Sequence, residues 1–129
     1  MKVLLVDDHE LFLEGLYTFL TLRGFNIVGT AQDGYEAIAQ ARALRPDVVL
    51  MDMQMPRCTG KEAMRQIKSE MPGVQVILMT MTNNSEERRE MLREGATAYF
   101  VKSVDPEEML KLLSSADPAR RNDDLSMAA

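Results

Sequence analysis

The sequence has no tryptophan, one cysteine (Cys58) and one histidine (His9). A lone cysteine excludes a disulfide framework and a cysteine-based zinc site, and a lone histidine leaves a histidine-rich metal centre without ligands. Long hydrophobic runs are also missing: nothing approaches the roughly 18 apolar residues that a membrane-spanning helix needs. The opening Met1-Lys2-Val3-Leu4-Leu5-Val6 runs straight into Asp7-Asp8. That stretch is too short for a secretory signal and lacks its small-residue cleavage site, so the cytoplasm is the expected compartment. Positive charge is scarce, with 15 Lys and Arg against 20 Asp and Glu and a net charge of −5. Such a surface repels phosphate backbones, so neither DNA nor an anionic membrane is an expected partner of this segment itself. What remains is ordinary globular material: 129 residues, 46% hydrophobic and 27% charged, enough for one domain with a sizeable core.

Five short apolar runs have strand length: Lys2–Val6, Asn26–Ala31, Asp47–Met51, Val74–Met79 and Thr97–Val101. Val48-Val49-Leu50-Met51 and Val76-Ile77-Leu78-Met79 lack polar alternation, as suits strands buried on both faces of a parallel sheet. Segments of helical period separate these runs. In the first, Phe12, Leu16, Phe19 and Leu20 share a face and Gly24 ends it. Glu36–Leu44 carries Ala37, Ile38, Ala41 and Leu44 ahead of Pro46, and Lys61–Met71 aligns Ala63, Met64, Ile67 and Met71 before Pro72-Gly73. Ser85–Glu94 is closed by Gly95, and a last helix runs from Pro106, a favoured first helical residue, to about Ser115. Strand and helix alternate five times. That predicts an α/β fold, a five-stranded parallel sheet flanked by five helices in a doubly wound arrangement. Residues 1–116 form the domain, and 117–129 read as a polar linker or tail in which Arg120-Arg121 is too short for nucleic-acid recognition.

In such sheets ligands sit at the carboxyl ends of the strands, near a topological switch point. In the sequence the first strand ends in Asp7-Asp8, the third in Asp52, the fourth in Thr80 and the fifth in Lys102. Three converging carboxylates repel one another unless a cation lies between them, and oxygen ligands with open positions suit Mg²⁺. Lys102 and Thr80 add a cation and a hydroxyl donor, which together suit phosphate. Any one of these residues alone is the ordinary polar exit of a strand from the core. Their joint occurrence carries the reading.

LLVDDH (Leu4–His9), VVLMDMQMP (Val48–Pro56), Gly60, VILMT (Val76–Thr80) and GATAYFVK (Gly95–Lys102) together resemble the receiver domain of bacterial two-component response regulators, over residues 1 to about 116. DDHELFLEGL (Asp7–Leu16) further resembles the NarL/LuxR-type subfamily, whose members usually add a DNA-binding helix-turn-helix domain. The resemblance implies a flavodoxin-like receiver fold and a phosphoryl group accepted by Asp52 from a sensor histidine kinase. It implies Mg²⁺ held by Asp7, Asp8, Asp52 and the backbone carbonyl of Gln54, with Lys102 and Thr80 gripping the phosphoryl group. Tyr99 falls where the family has its switch aromatic, and Pro56 and Gly60 shape the loop after Asp52. The responding face includes the fourth helix, fifth strand and fifth helix, and DNA is reached only through an output domain outside this chain. The chemistry is consistent: phosphoryl transfer to a carboxylate asks for in-line positioning and charge neutralisation more than for acid–base groups.

Several residues depart from the family pattern or compete for attention. Ser103 follows Lys102 where the family often has a cis-bonded proline. Met81 follows Thr80 where a small residue is usual, and a flexible side chain lying across the rim is the favoured reading over a narrowed approach to Asp52. The fourth helix, SEERREMLRE, offers only Met91 and Leu92 as apolar residues, so it is expected to be loosely held or else laced by Glu–Arg pairs. Leu13 and Tyr17, off the core stripe of the first helix, join the wide Met109, Leu110, Leu112, Leu113 band of the last. A homodimer through these two helices, or through the fourth helix–fifth strand–fifth helix face, is an expected consequence. Cys58 is read as structural, His9 as a local positioning residue, and the methionines chiefly as core.

Four other readings compete. Haloacid-dehalogenase phosphatases also use an Asp nucleophile with Mg²⁺, but carry a second Asp two residues later, where this chain has Gln54. A switch rather than a turnover enzyme is therefore expected. A flavodoxin-like cofactor binder wants a Ser/Thr/Gly phosphate loop after the first strand, where Asp7-Asp8 stand. The remaining alternatives are a stand-alone receiver acting by protein contact and a receiver-like module that works without phosphorylation.

Overall fold

The computed structural model describes residues 1–102 and 105–117. The chain alternates β1 (Lys2–Val6), α1 (Glu10–Leu22), β2 (Asn26–Ala31), α2 (Gly34–Leu44) and β3 (Val48–Asp52). It continues through α3 (Gly60–Glu70), β4 (Gln75–Thr80), α4 (Ser85–Arg93), β5 (Ala98–Val101) and α5 (Pro106–Ala116). All strand pairs are parallel, in the order β2-β1-β3-β4-β5. The five-strand, five-helix expectation holds. The sheet spreads one way from β1 to β2 and the other way from β3 onward, so a crevice opens at the carboxyl ends of β1 and β3.

Alternation along each buried strand feeds two cores. Leu4, Val6, Val49, Met51, Val76 and Leu78 face α2, α3 and α4, where Ala37, Ile38, Met64, Ile67 and Met91 close over them. Val3, Leu5, Val48, Leu50, Ile77 and Met79 face α1 and α5, against Leu13, Leu16, Leu20, Met109 and Leu113. The continuous apolar runs are thus explained by burial on both faces. No described helix is long and apolar enough to cross a membrane.

Three expectations are corrected. Leu13 is core, not surplus surface, and Phe12 is the residue turned outward at 36% exposure. The buried stripe of α1 is Leu13, Leu16 and Leu20, with Phe19 half-buried against the same core; Leu13 stands where Phe12 was expected. Asp52 and Thr80 close β3 and β4 as expected, with the ladder continuing through Asp52 opposite Met79 and Thr80 opposite Val101, whereas Asp7 and Lys102 fall just beyond β1 and β5. α2 starts at Gly34, earlier than expected, since the Asp33 carboxylate caps the Glu36 N–H at 2.8 Å. The Lys102–Ser103 bond and the tail beyond residue 117 lie outside the described residues.

α4 is formed and capped by Asn84, with Met91 as its buried residue. Its ion pairs run across to α3 rather than along its own surface: Lys61 to Glu90 at 2.8 Å and Arg65 to Glu94 at 2.6 Å. One apolar anchor and a set of exposed charge pairs make this helix sensitive to salt. Raising NaCl from 50 mM to 1 M, or Arg65→Ala, is expected to speed amide exchange in α4 about threefold while leaving β4 unchanged. Hydrogen-exchange mass spectrometry checks this, and equal rates across salt would mean that Met91 packing alone holds the helix.

Candidate functional site

Each residue singled out at a strand end is carried to the crevice by the element before it. Asp7 follows β1 and is fully buried, and its backbone N–H donates to the Ala31 carbonyl at 3.0 Å. Asp52 closes β3 and Thr80 closes β4, both buried; Lys102 follows β5, with its N–H donating to the Thr80 carbonyl at 2.7 Å. Lys102 Nζ reaches Asp7 Oδ2 at 2.7 Å and Asp52 Oδ2 at 3.3 Å. Strand register alone therefore brings Asp7, Asp52 and Lys102 together from residues spread across the chain.

The acidic group is wider than these two. Ligand atoms of Asp7, Asp8, His9 and Asp52 all lie within 4.8 Å of one another. His9 is largely exposed, and its N–H donates to Asp7 Oδ1 at 2.9 Å while its ring Nδ1 stands 3.3 Å from the same oxygen. This matches the positioning role read from the sequence. Asp8 Oδ1 is buried without a hydrogen bond, His9 Nδ1 standing 3.4 Å away, and Asp7 Oδ2 is buried with Lys102 Nζ 2.7 Å away. Buried carboxylate oxygens lacking hydrogen bonds are costly, and a hard cation on such oxygens removes that cost. The donor set therefore fits Mg²⁺, with carboxylate oxygens dominating.

Electrostatics separate Asp52 from its neighbours. Burial first, and the Asp7 charge second, push its carboxyl up to about 6, against the pull of the Gln54 N–H and of Lys102. Gln54 donates that N–H to Asp52 Oδ1 at 3.2 Å, and its side chain is exposed. The loop behind Asp52 is held closely. Gly60 donates to the Met53 carbonyl at 3.1 Å, and a Cβ at Gly60 would stand 2.1 Å from the Asp52 carbonyl oxygen. Pro56 leads into Arg57, which takes a left-handed φ of 66° and turns its guanidinium onto Asp33.

Tyr99 is buried and turned inward. Its hydroxyl donates to Glu87 Oε1 at 2.6 Å. Burial, and then that carboxylate, push its phenol up to about 12. Thr80 Oγ1 accepts the Thr82 N–H at 3.3 Å, and Met81 is exposed on the rim beside it.

Two features escape a reading of strand ends. One is a clasp between loops: Gly34 donates its N–H to the Cys58 carbonyl at 3.0 Å while Arg57 pairs with Asp33. The Asp33-x-x-Glu36 spacing is the signal that exposes the capping half of it. Cys58 is buried there, and burial raises its thiol above the ordinary range, in keeping with a structural role. The other is Glu87 as the partner of Tyr99, which no local pattern announces.

A doubly wound parallel domain with an acidic, lysine-bridged crevice at its switch point places the chain among the α/β domains that bind ligands at the carboxyl ends of their strands. Within that class, the model of the response regulator receiver domain matches residues 3–114, and the chain belongs to that family. It is 38% identical over 117 residues to the transcriptional regulatory protein YxjL of Bacillus subtilis, covering 90% of this chain and 54% of that one. It is 34% identical over 122 residues to the response regulator GacA of Pseudomonas aeruginosa, covering 94% of this chain and 57% of that one. The chain thus spans about half the length of these curated relatives. Among solved structures, the signal receiver domain of the response regulator NarL from Mycobacterium tuberculosis superposes with a TM-score of 0.83 at 32% identity, over 89% of this chain and 94% of that one. The NarL/LuxR-type resemblance read from the sequence agrees with this company.

Proposed function

We propose that this receiver domain accepts a phosphoryl group on Asp52 from a phosphohistidine of a sensor kinase. The observation that carries the reading is the convergence of Asp7, Asp52 and Lys102 within ion-pair distance at the switch point. An Asp52 carboxylate oxygen attacks phosphorus, the P–N bond to the donor imidazole breaks, and the imidazole leaves with its electron pair and takes up a proton. The product is an acyl phosphate on Asp52. Asp7, Asp8, Asp52 and the Gln54 carbonyl would hold Mg²⁺, which supplies positive charge against the carboxylates and the incoming oxygens. Gln54 N–H orients Asp52, Lys102 offers its ammonium to the transferred group, and Thr80 offers its hydroxyl.

The new charge gives Thr80 and Lys102 a reason to move, and Tyr99 follows into the space Thr80 controls, altering the α4–β5–α5 face. This makes the domain a switch, not a turnover enzyme, since Gln54 supplies no acid–base group to an ester leaving oxygen. In the full-length protein, residues 117–129 would link the 1–116 receiver to a DNA-binding output domain that controls transcription in the cytoplasm. The half-length coverage of curated transcriptional regulators supports this over a stand-alone receiver. Dimerisation through α1 and α5, or through α4–β5–α5, would transmit the signal.

Intact mass after incubation with acetyl phosphate tests the proposal. A single Mg²⁺-dependent phosphoryl addition is expected, falling to background in Asp52→Asn. Addition that persists in that variant would move the acceptor elsewhere.

A further inference from the structure

One contact of Lys102 has no part in the chemistry above. Its side chain is only 5% exposed, and its ammonium is shared between Asp7 and Asp52. On a third side the same ammonium stands over the ring of Phe12, 4.7 Å from the centroid. A cation there meets the negative face of the aromatic quadrupole, and the attraction strengthens as water is excluded.

Phe12 is well placed for this by the chain itself. α1 begins at Glu10, directly after Asp7-Asp8-His9, so Phe12 is its third residue. The His9 N–H on Asp7 Oδ1, and the Leu13 N–H on the His9 carbonyl at 2.9 Å, tie the first turn of α1 to the acidic group. Carboxylate and ring are therefore held by one short backbone segment. Phe12 and Lys102 both line an apolar groove of about 360 Å³ between α1 and α5, together with Leu16, Phe19, Phe100 and Met109. A lysine has four flexible carbons and three rotatable donors, so its position depends on every wall around it.

We propose that Phe12 is a positioning residue for Lys102: its ring caps the ammonium beside the α1–α5 groove and holds it on the Asp7–Asp52 side, where phosphoryl oxygens arrive. This rests on the reading of Asp52 as phosphoacceptor. The requirement is for an aromatic face, not for bulk. Leucine fills the space without a negative face, whereas tyrosine keeps the face.

The test compares wild type, Phe12→Leu, Phe12→Tyr, Lys102→Ala and the double variant Phe12→Leu/Lys102→Ala, in Mg²⁺ with acetyl phosphate. Phe12→Leu is expected to slow phosphorylation about fivefold, with Phe12→Tyr restoring the wild-type rate. In the Lys102→Ala background, Phe12→Leu is expected to change nothing further, because the group it positions is gone. The Lys102 ε-methylene protons, shifted upfield by the ring in wild type, should move back toward ordinary lysine values in Phe12→Leu and not in Phe12→Tyr. A wild-type rate in Phe12→Leu, an equal slowing in both backgrounds, or no rescue by tyrosine each overturns the role of Phe12 while leaving the acceptor reading intact. Failure of the wild-type chain to take the phosphoryl group overturns both.

Discussion

Replacing Asp52 with asparagine is expected to stabilise the metal-free chain at pH 8 by about 3 kcal/mol. The carboxyl is buried beside Asp7, and folding raises it from 3.8 to about 6. Well below 3.8 it is neutral in both the folded and unfolded chains, so the substitution is nearly silent. Between the two values only the unfolded chain releases the proton, and stability falls as pH rises. Above about 6 both forms are ionised, and the folded chain carries the full cost of an anion in a desolvated crevice. The gain should therefore be largest above pH 7 and narrow steadily toward pH 4, as read by urea unfolding of both proteins in EDTA. Equal stability at pH 8 would mean that Lys102 fully compensates the buried charge.

Gly60→Ala should act in the opposite direction, costing about 3 kcal/mol or more. The added Cβ meets the Asp52 carbonyl oxygen at 2.1 Å and the Met53 Cα at 2.9 Å, and both are backbone with no flexible end to yield. For a domain of this size the loss corresponds to a fall in Tm of roughly 10 °C. Gly15→Ala is the matched control, since nothing lies within 4 Å of its added methyl and α1 gains helix propensity. Thermal unfolding followed by circular dichroism separates the two. A Tm within 2 °C of wild type for Gly60→Ala, by the same scaling of roughly 3 °C per kcal/mol, would show that the β3–α3 loop can shift as a body.

The contrast between these glycines shows where sequence reading stops. The strands were legible because Val48–Met51 and Val76–Met79 are unbroken apolar runs of strand length, as strands buried on both faces require. The crevice was legible because parallel topology sends every strand end to one rim. The apolar runs stop one residue short of Asp52 and Thr80, because a polar residue looks like an exit from the sheet while ladder pairing continues through it. Leu13 and Phe12 exchanged roles for a related reason. Both are apolar and adjacent, and the choice between them depends on the angle at which α1 meets the sheet, which helical period does not encode. Phe12 over Lys102 joins residues ninety positions apart and has no local signature. The ion pairs from α3 to α4 are equally invisible, because a run of charges reads the same whether its partners are solvent or a neighbouring helix.

The clasp between the Gly34 N–H and the Cys58 carbonyl has a practical consequence. Cys58 is the only sulfhydryl of the chain, sealed under the α2 N-terminus and resistant to ionisation. A thiol reagent can reach it only when the segment from Met53 to Gly60 lifts away from α2. The native chain thus carries its own stopwatch for that event: where reagent is concentrated enough for alkylation to outpace reclosing, the alkylation rate reads the frequency with which the loop behind Asp52 opens.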